Sequence, residues 1–479
     1  MIIQTASQLT FGFWQGRAIE IEQVDENLSS DGGLIAFKQL DSILGWTESF
    51  SKLIQHSGRD HTAKSMLQQR LFGIIAGYED QNDHDSLRSD PIFKLIAGRS
   101  PADRDLASQP TLSRFENSIT ASMLLMMEDW FLDRFVESFS KAPDRITLDM
   151  DTFDDPTHGL QQLTFFHGYY DQYQYQVRVI TCAENDMTVL PVLLYGSAAV
   201  SLGAYDDIVR VINKVRARFP DTLIEFRADA GFAVPRMYEA LEAIPNVIYT
   251  IGFMMTTVLR RKSAELLKST EIQYETTRTL AKQYMFFPHC SDRWKKVSRN
   301  IVIKCEANCE GSNRRAVITN RPGAEQYPDG TYERYADRGE SENRNKELKC
   351  EFKADRLSDH RYMANLFRLM MHTIAANMLV RFRQEAAKDI AEIPVENELP
   401  VEARSQYAKR QQHNKRRRED PLGEGHASTW RMMLIKVAAR VIVTTRRVRI
   451  LISKHWPYAK LFEQVRDALN GLEIKMGSG

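Results

Sequence analysis

The chain of 479 residues is longer than one ordinary hydrophobic core can organise, so three or more structural units are expected. With 43% hydrophobic and 27% charged residues, its composition is that of a globular protein and excludes a largely disordered chain. The net charge of +1 does not by itself indicate binding to a polyanion, and the five cysteines do not indicate a disulfide framework. Neither a signal peptide nor a membrane-spanning apolar run is expected.

Residues 1–143 carry mostly helical patterns, and we expect them to form a helical region for DNA binding or dimerisation. The sequence SQPTLSRFEN at 108–117 predicts a helix, because proline is favoured in the first helical turn. Thr111, Ser113 and Arg114 follow the proline, and short polar side chains beside an arginine at a helix start suit phosphate or base-edge contacts. An ordinary helix start is the alternative interpretation.

Residues 144–254 change to the pattern of an α/β fold and are expected to form the first part of a catalytic core. From Arg145 onward apolar and polar residues alternate, which predicts a half-buried strand with Asp149 and Asp151 on its polar face. Two further strands and an amphipathic helix lead to a fourth strand, which ends at Asp229, and a short helix and a fifth strand follow. The predicted order β-β-β-α-β-α-β is that of the ribonuclease H-like fold.

Residues 255–330 interrupt the alternation of strands and helices. A helix leads into several short runs with the residue pattern of strands, among them 300–305 and 315–320. The segment is therefore predicted to be a β-rich insertion in the catalytic core.

Residues 331–384 return to a helical pattern and are expected to complete the catalytic core. Tyr335, Arg338, Glu342 and Lys349 stand at offsets of 0, 3, 7 and 14, which predicts that they share one face of a helix. A face with these side chains and few apolar ones is not a core face. Its acid can hold a metal ion while its cations hold phosphate. The alternative is a solvent-exposed helix whose charged side chains form ion pairs with each other.

Residues 385–479 are expected to be a linker followed by a basic helical segment for DNA binding or dimerisation. Between positions 401 and 460 there are fifteen Lys or Arg residues and four Asp or Glu residues, an excess that indicates a surface for a polyanion. A solvated connector is the alternative. The candidate DNA-binding residues here are Lys415, Arg416, Arg417, Arg418, Arg446 and Arg447.

Three carboxylates fall at the positions where a ribonuclease H-like fold carries its catalytic acids. These positions are the first strand, the end of the strand after the first long helix, and a later helix that packs across the sheet. Asp151, Asp229 and Glu342 fill them, and Asp149 is the rival for the first. Phosphodiester cleavage at neutral pH needs an activated oxygen nucleophile and a stabilised leaving oxygen, which two divalent ions held by carboxylates supply.

Several motifs then give the chain a specific resemblance. The spacing Tyr335-x2-Arg338-x3-Glu342-x6-Lys349 resembles the signature of the IS-four superfamily of bacterial insertion-sequence transposases. The finer motifs are similar to those of its IS-thirteen-eighty family. They are LDMDTFDDPTHG (148–159), FFHGYYDQYQY (165–175), RADAGF (227–232) and RGESENRNKELK (338–349), with GYEDQNDHDSLRSDP (77–91) and SQPTLSRFEN (108–117) nearer the N-terminus.

The resemblance extends over nearly the whole chain and implies a DDE transposase. It implies that Asp151, Asp229 and Glu342 hold two Mg²⁺ ions, which Mn²⁺ can replace. It also implies double-stranded DNA with terminal inverted repeats and target DNA as partners, a homodimer in the synaptic complex, cut-and-paste movement, and a place on the bacterial nucleoid in the cytoplasm. In the family pattern a threonine stands one place later than Thr152, so Asp149 and Asp151 both stay open as the first acid and metal ligand.

In related transposases a β-rich insertion carries a tryptophan that stacks on a flipped base. Trp294 lies in the predicted insertion, and its neighbours are basic, which suits an extruded base beside a phosphate. These neighbours are Arg293, Lys295 and Lys296. Packing of the insertion's own small core is the alternative for this indole.

Two other functions compete with transposition. One is a transposon-derived DNA-binding protein without cleavage activity, against which the retention of all three acids argues. The other is a Mg²⁺-dependent nuclease, which differs from a transposase because it cuts DNA without joining strands.

Overall fold

The computed structural model describes residues 9–11, 19–294, 297–387 and 426–477. Three short strands come first: β1 (Leu9–Phe11), β2 (Ile19–Ile21) and β3 (Leu28–Ser29). The helical character predicted for the N-terminal region is confirmed by seven helices: α1 (Leu34–Leu44), α2 (Trp46–Ser51), α3 (Ala63–Ala76), α4 (His84–Leu87), α5 (Pro91–Ile96), α6 (Gln109–Asn117) and α7 (Ala121–Glu137). Thr62, Asp90 and Thr120 cap α3, α5 and α7, because their side-chain oxygens accept from free N–H groups of the first turn.

A mixed sheet of nine strands follows in the described chain. The strands are β4 (Arg145–Pro156), β5 (Phe165–His167), β6 (Gln172–Cys182), β7 (Thr188–Tyr195), β8 (Leu223–Ala228), β9 (Val247–Phe253), β10 (Ala281–Cys290), β11 (Ser298–Asn308) and β12 (Gly311–Thr319). Their order is β10-β11-β12-β9-β8-β4-β6, and β5 and β7 share the far edge of β6. Strands β8 and β9 run parallel to β4, whereas β6 is antiparallel to it.

Helices cover both faces of this sheet. They are α8 (Ala204–Arg218), α9 (Pro235–Glu242), α12 (Pro328–Ala336), α13 (Gly339–Lys346) and α14 (Tyr362–Ala387). Leu148 and Met150 of β4 share an apolar core with Ile212 of α8, and Val177 and Val179 of β6 belong to a second core with α14. The polar residues that alternate with Leu148 and Met150 therefore lie on the opposite face of β4, and α13 contacts β4 and β6.

The segment predicted as a β-rich insertion contains α10 (Thr257–Lys262), α11 (Ala264–Thr277) and strands β10 to β12. Its β-rich character is confirmed. Strand β12 pairs with β9 from Ala316 opposite Phe253 to Thr319 opposite Thr250, so the three strands continue the main sheet. Helix α11 packs on β10 and β11. The predicted domain boundaries stay predictions.

The predicted helical structure of the basic segment 429–455 is mostly wrong. After α15 (Ala427–Trp430) and a π-helical turn, β13 (Ala439–Val443) and β14 (Val448–Ile452) form an antiparallel hairpin, and β13 also pairs with β3. Val441, Ile442 and Val443 are β-branched, and such side chains lose rotamer freedom in a helix and pack well in a sheet. The last helix is α16 (Ala459–Gly477). Among the described helices, not one combines the length and apolar character needed to cross a bilayer.

Candidate active site

Asp151 and Asp229 lie beside each other on two adjacent parallel strands. In the register of these strands, Met150 of β4 pairs with Ala228 of β8, so the next residue along each chain is an aspartate. Both aspartates are half-buried. The sheet topology therefore brings together the first two acids predicted from the sequence.

Arg338 connects this pair to the third predicted acid. Its Nη1 donates to Asp151 Oδ2 at 3.0 Å, and its Nη2 donates to Glu342 Oε1 at 2.6 Å. Burial lowers the pKa of Arg338, but Asp151, Tyr335, Glu342 and Asp229 outweigh it and raise the pKa. All three predicted acids therefore surround one guanidinium group.

The charge of Asp229 is only partly compensated by the protein. Its Oδ1 accepts from the backbone N–H of Gly231 at 2.8 Å. Burial, followed by the negative charge of Asp151, raises the pKa of the Asp229 carboxyl, and the contributions of Gly231 and Arg338 in the other direction do not cancel this rise. Three carboxylates face one guanidinium group, which leaves an excess of two negative charges. Such an excess attracts an external cation.

The donor atoms of this site fit a hard divalent cation, because Mg²⁺ prefers carboxylate oxygens and water. Asp151 and Asp229 supply such oxygens from neighbouring strand ends, and the single guanidinium group of Arg338 does not balance the negative charge of the three carboxylates around it. Glu342 is 56% exposed and is held by Arg338. Among the described residues no group of three or more His, Cys, Asp or Glu side chains already converges as a metal site. Asp151, Asp229 and Glu342 are the carboxylates that would hold such an ion.

Asp149, the rival for the first acid, is enclosed by the fold. Arg227 Nε donates to Asp149 Oδ1 at 2.6 Å and Arg227 Nη2 donates to Oδ2 at 2.7 Å, which makes a bidentate pair. The side chains are 1% and 5% exposed. Arg227 also donates to the carbonyl oxygen of Arg334 at 2.8 Å. Asp149 is thus almost fully buried against a single arginine, whereas the Asp151 side chain on the same strand face is 17% exposed.

The signature from Tyr335 to Lys349 does not lie on one continuous helix, and this part of the sequence prediction is wrong. Helix α12 ends before a turn at Asp337 and Arg338, α13 begins at Gly339, and a π-helical turn spans Glu347–Glu351. The break follows from the poor helix propensity of glycine and from a tight i to i+3 bond in which the Arg338 N–H donates to the Tyr335 carbonyl at 3.1 Å.

Lys349 and Asn345 extend the polar edge of the site. Lys349 Nζ donates to Asp154 Oδ1 at 2.6 Å, and Asn345 Nδ2 donates to Asp151 Oδ2 at 3.3 Å. Sequence analysis missed Asn345. It stands seven residues after Arg338, about two helical turns, and this repeat is the signal that identifies it as part of the same face.

Trp294 does not offer a ring face to DNA. It is only 3% exposed, and it packs against Tyr238, Phe253 and His289 with ring centroids 5.7–5.8 Å away. The structure therefore contradicts the exposure that its predicted base-stacking role requires and supports core packing, where a large indole is stabilised by burial. The side chain of Arg293 and the residues Lys295 and Lys296 lie outside the described residues.

The remaining candidate DNA-binding residues lie on other elements than the acids. In α6, exposed Arg114 donates to Thr111 Oγ1 at 3.2 Å, and Ser113 lines a polar cavity of about 420 Å³. Arg446 and Arg447 are exposed in the turn between β13 and β14. Lys415, Arg416, Arg417 and Arg418 lie outside the described residues. Their contact with DNA stays a prediction.

The chain was compared with protein families, with curated sequences and with solved structures. A family model described as transposase DDE domain group 1 matches residues 11–397. Among solved structures, the chain is similar to a piggyBac transposase, seen in a cryo-EM structure of its synaptic complex with hairpin DNA. The TM-score is 0.41 and the sequences are 11% identical, with 86% of this chain and 88% of that chain covered. No curated protein sequence matches the chain.

Proposed function

The chain belongs to the DDE transposase family, whose model spans residues 11–397, and from this membership we propose that it is the transposase of a bacterial insertion sequence. It binds the terminal inverted repeats of the element, cleaves DNA strands there and joins them to target DNA in a cut-and-paste reaction. Asp151, Asp229 and Glu342 are its catalytic acids.

The observation that carries this proposal is the meeting of three acids from three separate elements around Arg338. Asp151 comes from β4, Asp229 from the end of β8 and Glu342 from α13. Their excess negative charge and partial exposure are properties of a site that binds a cation and a substrate rather than of a structural ion pair. The pairing of Asp149 with Arg227 supports Asp151 as the first acid.

The sheet supports a ribonuclease H-like assignment for the catalytic core. The order β7-β6-β4-β8-β9, with β8 and β9 parallel to β4 and with β6 antiparallel, corresponds to that fold. Asp151 then lies on the first strand of the core and Asp229 at the end of the fourth. Glu342 follows on a helix that contacts the first two strands.

The acids and the cations of the site have different roles in phosphodiester chemistry. Asp151, Asp229 and Glu342 would hold two Mg²⁺ or Mn²⁺ ions, which when bound activate an attacking oxygen and stabilise the leaving oxygen. Arg338, whose guanidinium group now donates to two carboxylates, has the planar donor geometry that grips a phosphate. Lys349 adds a second cation at the same edge. These cations orient the scissile phosphate towards the acids.

We propose that two copies of the chain act together on two DNA ends in a synaptic complex. The helical N-terminal region and the basic C-terminal segment contact the end sequences, and the protein works on the nucleoid in the bacterial cytoplasm. A DNA-binding protein without cleavage activity and a Mg²⁺-dependent nuclease are the competing outcomes of the test below.

The test is a strand-cleavage and strand-joining assay with a duplex that carries the element end, in Mg²⁺ or Mn²⁺. Wild-type protein is expected to cleave and join strands, and Glu342→Gln is expected to do neither. Glu340→Gln is the matched control, because Glu340 is exposed in the same helix and is not among the acids that surround Arg338. Cleavage without joining would identify a nuclease, and binding without cleavage would identify a DNA-binding protein.

A further inference from the structure

A second surface beside the acids is unusually rich in exposed aromatic rings. The segment Phe165–Tyr173, the aromatic hairpin, consists of β5, a four-residue turn and the start of β6. Five of the eight exposed Phe or Tyr side chains among those the structure describes belong to it, and they are 43% to 85% exposed. They are Phe165, Phe166, Tyr169, Tyr170 and Tyr173. An exposed apolar surface of this kind indicates a binding site.

The rings of the aromatic hairpin meet edge to face. Phe166 and Tyr173 are paired across the two strands, with centroids 5.6 Å apart and ring planes at 66°. Tyr169 and Tyr170 in the turn have centroids 5.0 Å apart and planes at 89°. In an edge-to-face pair one ring sets its edge against one face of the other, so the pair itself leaves the opposite face of that ring uncovered for a flat ligand.

Hydrogen bonds attach the aromatic hairpin to the edge of the active site. Gln172, at the hairpin, donates through Nε2 to Asp154 Oδ2 at 3.2 Å, and the other oxygen of Asp154 accepts from Lys349 at 2.6 Å. Asp154 follows Asp151 by three residues on β4, a separation of about 10 Å along the strand. Burial, followed by the charge of Asp154, raises the pKa of Tyr170, in keeping with its place close to this edge.

We propose that the aromatic hairpin stacks unpaired nucleobases of the DNA strand that is held at Asp151, Asp229 and Glu342. This inference rests on the proposed function and adds a binding surface to it. A strand that reaches the acids passes Lys349, whose charge suits its phosphate, and then arrives at the open tyrosine faces. Stacking on aromatic faces tolerates any base, because every base has a π-face.

The location of the surface bears on its occupant. Trp294, the other candidate for base stacking, is buried among other rings and offers no face to a base. Continuity with the acid site favours a nucleic acid strand over a protein partner as the occupant. A second copy of the chain is the main competing occupant.

The experiment compares a blunt DNA duplex with the same duplex extended by an unpaired thymidine tail that contains one 2-aminopurine. Binding to full-length protein is measured by fluorescence anisotropy in EDTA, and stacking by quenching of the 2-aminopurine. The double variant Tyr169→Ala/Tyr170→Ala is expected to bind the tailed duplex about tenfold more weakly and to lose the quenching, with unchanged affinity for the blunt duplex. Tyr169→Phe/Tyr170→Phe retains both rings and should retain both signals.

Tyr327→Ala is the matched control, since Tyr327 is 69% exposed on another element. Equal loss of tailed and blunt binding in the alanine variant, or no loss of either, overturns the base-stacking inference while the proposed function stands. A change in oligomeric state with unchanged tail binding assigns the surface to a second copy instead. If the wild-type protein binds neither duplex, the proposed function and this inference fail together.

Discussion

Two clusters of arginine and carboxylate in this protein have opposite arrangements of charge. In the helical body, Glu116 of α6 is fully buried between Arg70 and Arg368, both of which bond to it. Burial raises the pKa of Glu116, but the two arginines outweigh it and lower the pKa to about 2. In the candidate active site, one guanidinium group, that of Arg338, faces three carboxylates instead.

The difference lies in where the compensating charge comes from. The cluster at Glu116 obtains its positive charge from its own fold, and Arg368 also bonds to Asp359, so the charges are paired inside the protein. The cluster at Arg338 is half-open and keeps unpaired negative charge, which costs stability in the free protein. Such uncompensated charge is typical of functional sites, where a ligand supplies the missing partner.

The strongest test of this comparison is the removal of one charge from the cluster of Arg338, Asp151, Asp229 and Glu342, the open cluster. Asp151→Asn is expected to lower DNA cleavage on the order of a thousandfold, since a metal ligand contributes several kcal/mol to the transition state. Its stability towards urea should stay close to that of wild type, because Asp151 is only partly buried. If Asp149→Asn abolished cleavage in a folded protein and Asp151→Asn did not, Asp149 would be the first acid.

Removal of the acid from the cluster of Glu116, Arg70 and Arg368, the closed cluster, should instead lower stability and leave cleavage unchanged. Glu116→Ala leaves Arg70 and Arg368 buried without their carboxylate, and we expect it to lower the free energy of unfolding by about 3–5 kcal/mol. Urea titration with linear extrapolation measures this loss, and cleavage per folded molecule should be unchanged. Replacement of Arg70, Glu116 and Arg368 together by apolar residues is the control and should recover part of the lost stability, since Asp359 then loses its bond to Arg368. A fall of less than 1 kcal/mol in the single variant would contradict a structural role.

The pH dependence of stability sharpens the same contrast. Because the pKa of Glu116 is lower in the folded chain, its contribution is fully present above its ordinary value of 4.5 and is lost as the pH falls towards about 2. The loss is on the order of 3 kcal/mol across this window. In Glu116→Gln the decline between these pH values should be correspondingly shallower. Parallel stability curves for the two proteins would show that Glu116 does not titrate as the structure indicates.

The two clusters also show what the sequence can and cannot predict. Asp151 and Asp229 were predictable because the period-two pattern and the β-β-β-α-β order place them on adjacent strand ends. The choice between Asp149 and Asp151 was not, since they share one strand face. What separates them is Arg227, which is 78 residues from Asp149 in sequence. Tertiary partners of this kind leave no local pattern.

Other differences between prediction and structure have similar causes. Residues 429–455 were predicted to be helical and were recognised mainly by their basic charge. The β-branched residues of β13 and β14 favour strands there instead. The motif at 165–175 was noted for its family resemblance, but its hairpin structure was not predicted, because β5 has only three residues, too few for a periodic pattern. The burial of Trp294 depends on rings contributed by other elements, such as Tyr238 of α9 and His289 of β10.

The smallest expected effect concerns the outer cation of the open cluster. Lys349 is 25% exposed and bonds to Asp154, so it is available to a DNA phosphate without burial of a new charge. Lys349→Ala should weaken DNA binding severalfold for every sequence and reduce the slope of log affinity against log salt by about one. Anisotropy titrations over a series of salt concentrations measure this slope.

Lys346→Ala is the matched control, because Lys346 is exposed at the end of α13 and does not bond to the site's carboxylates in the structure. An equal change in both variants would mean that the helix contributes only general positive charge, and that the open cluster ends at Arg338.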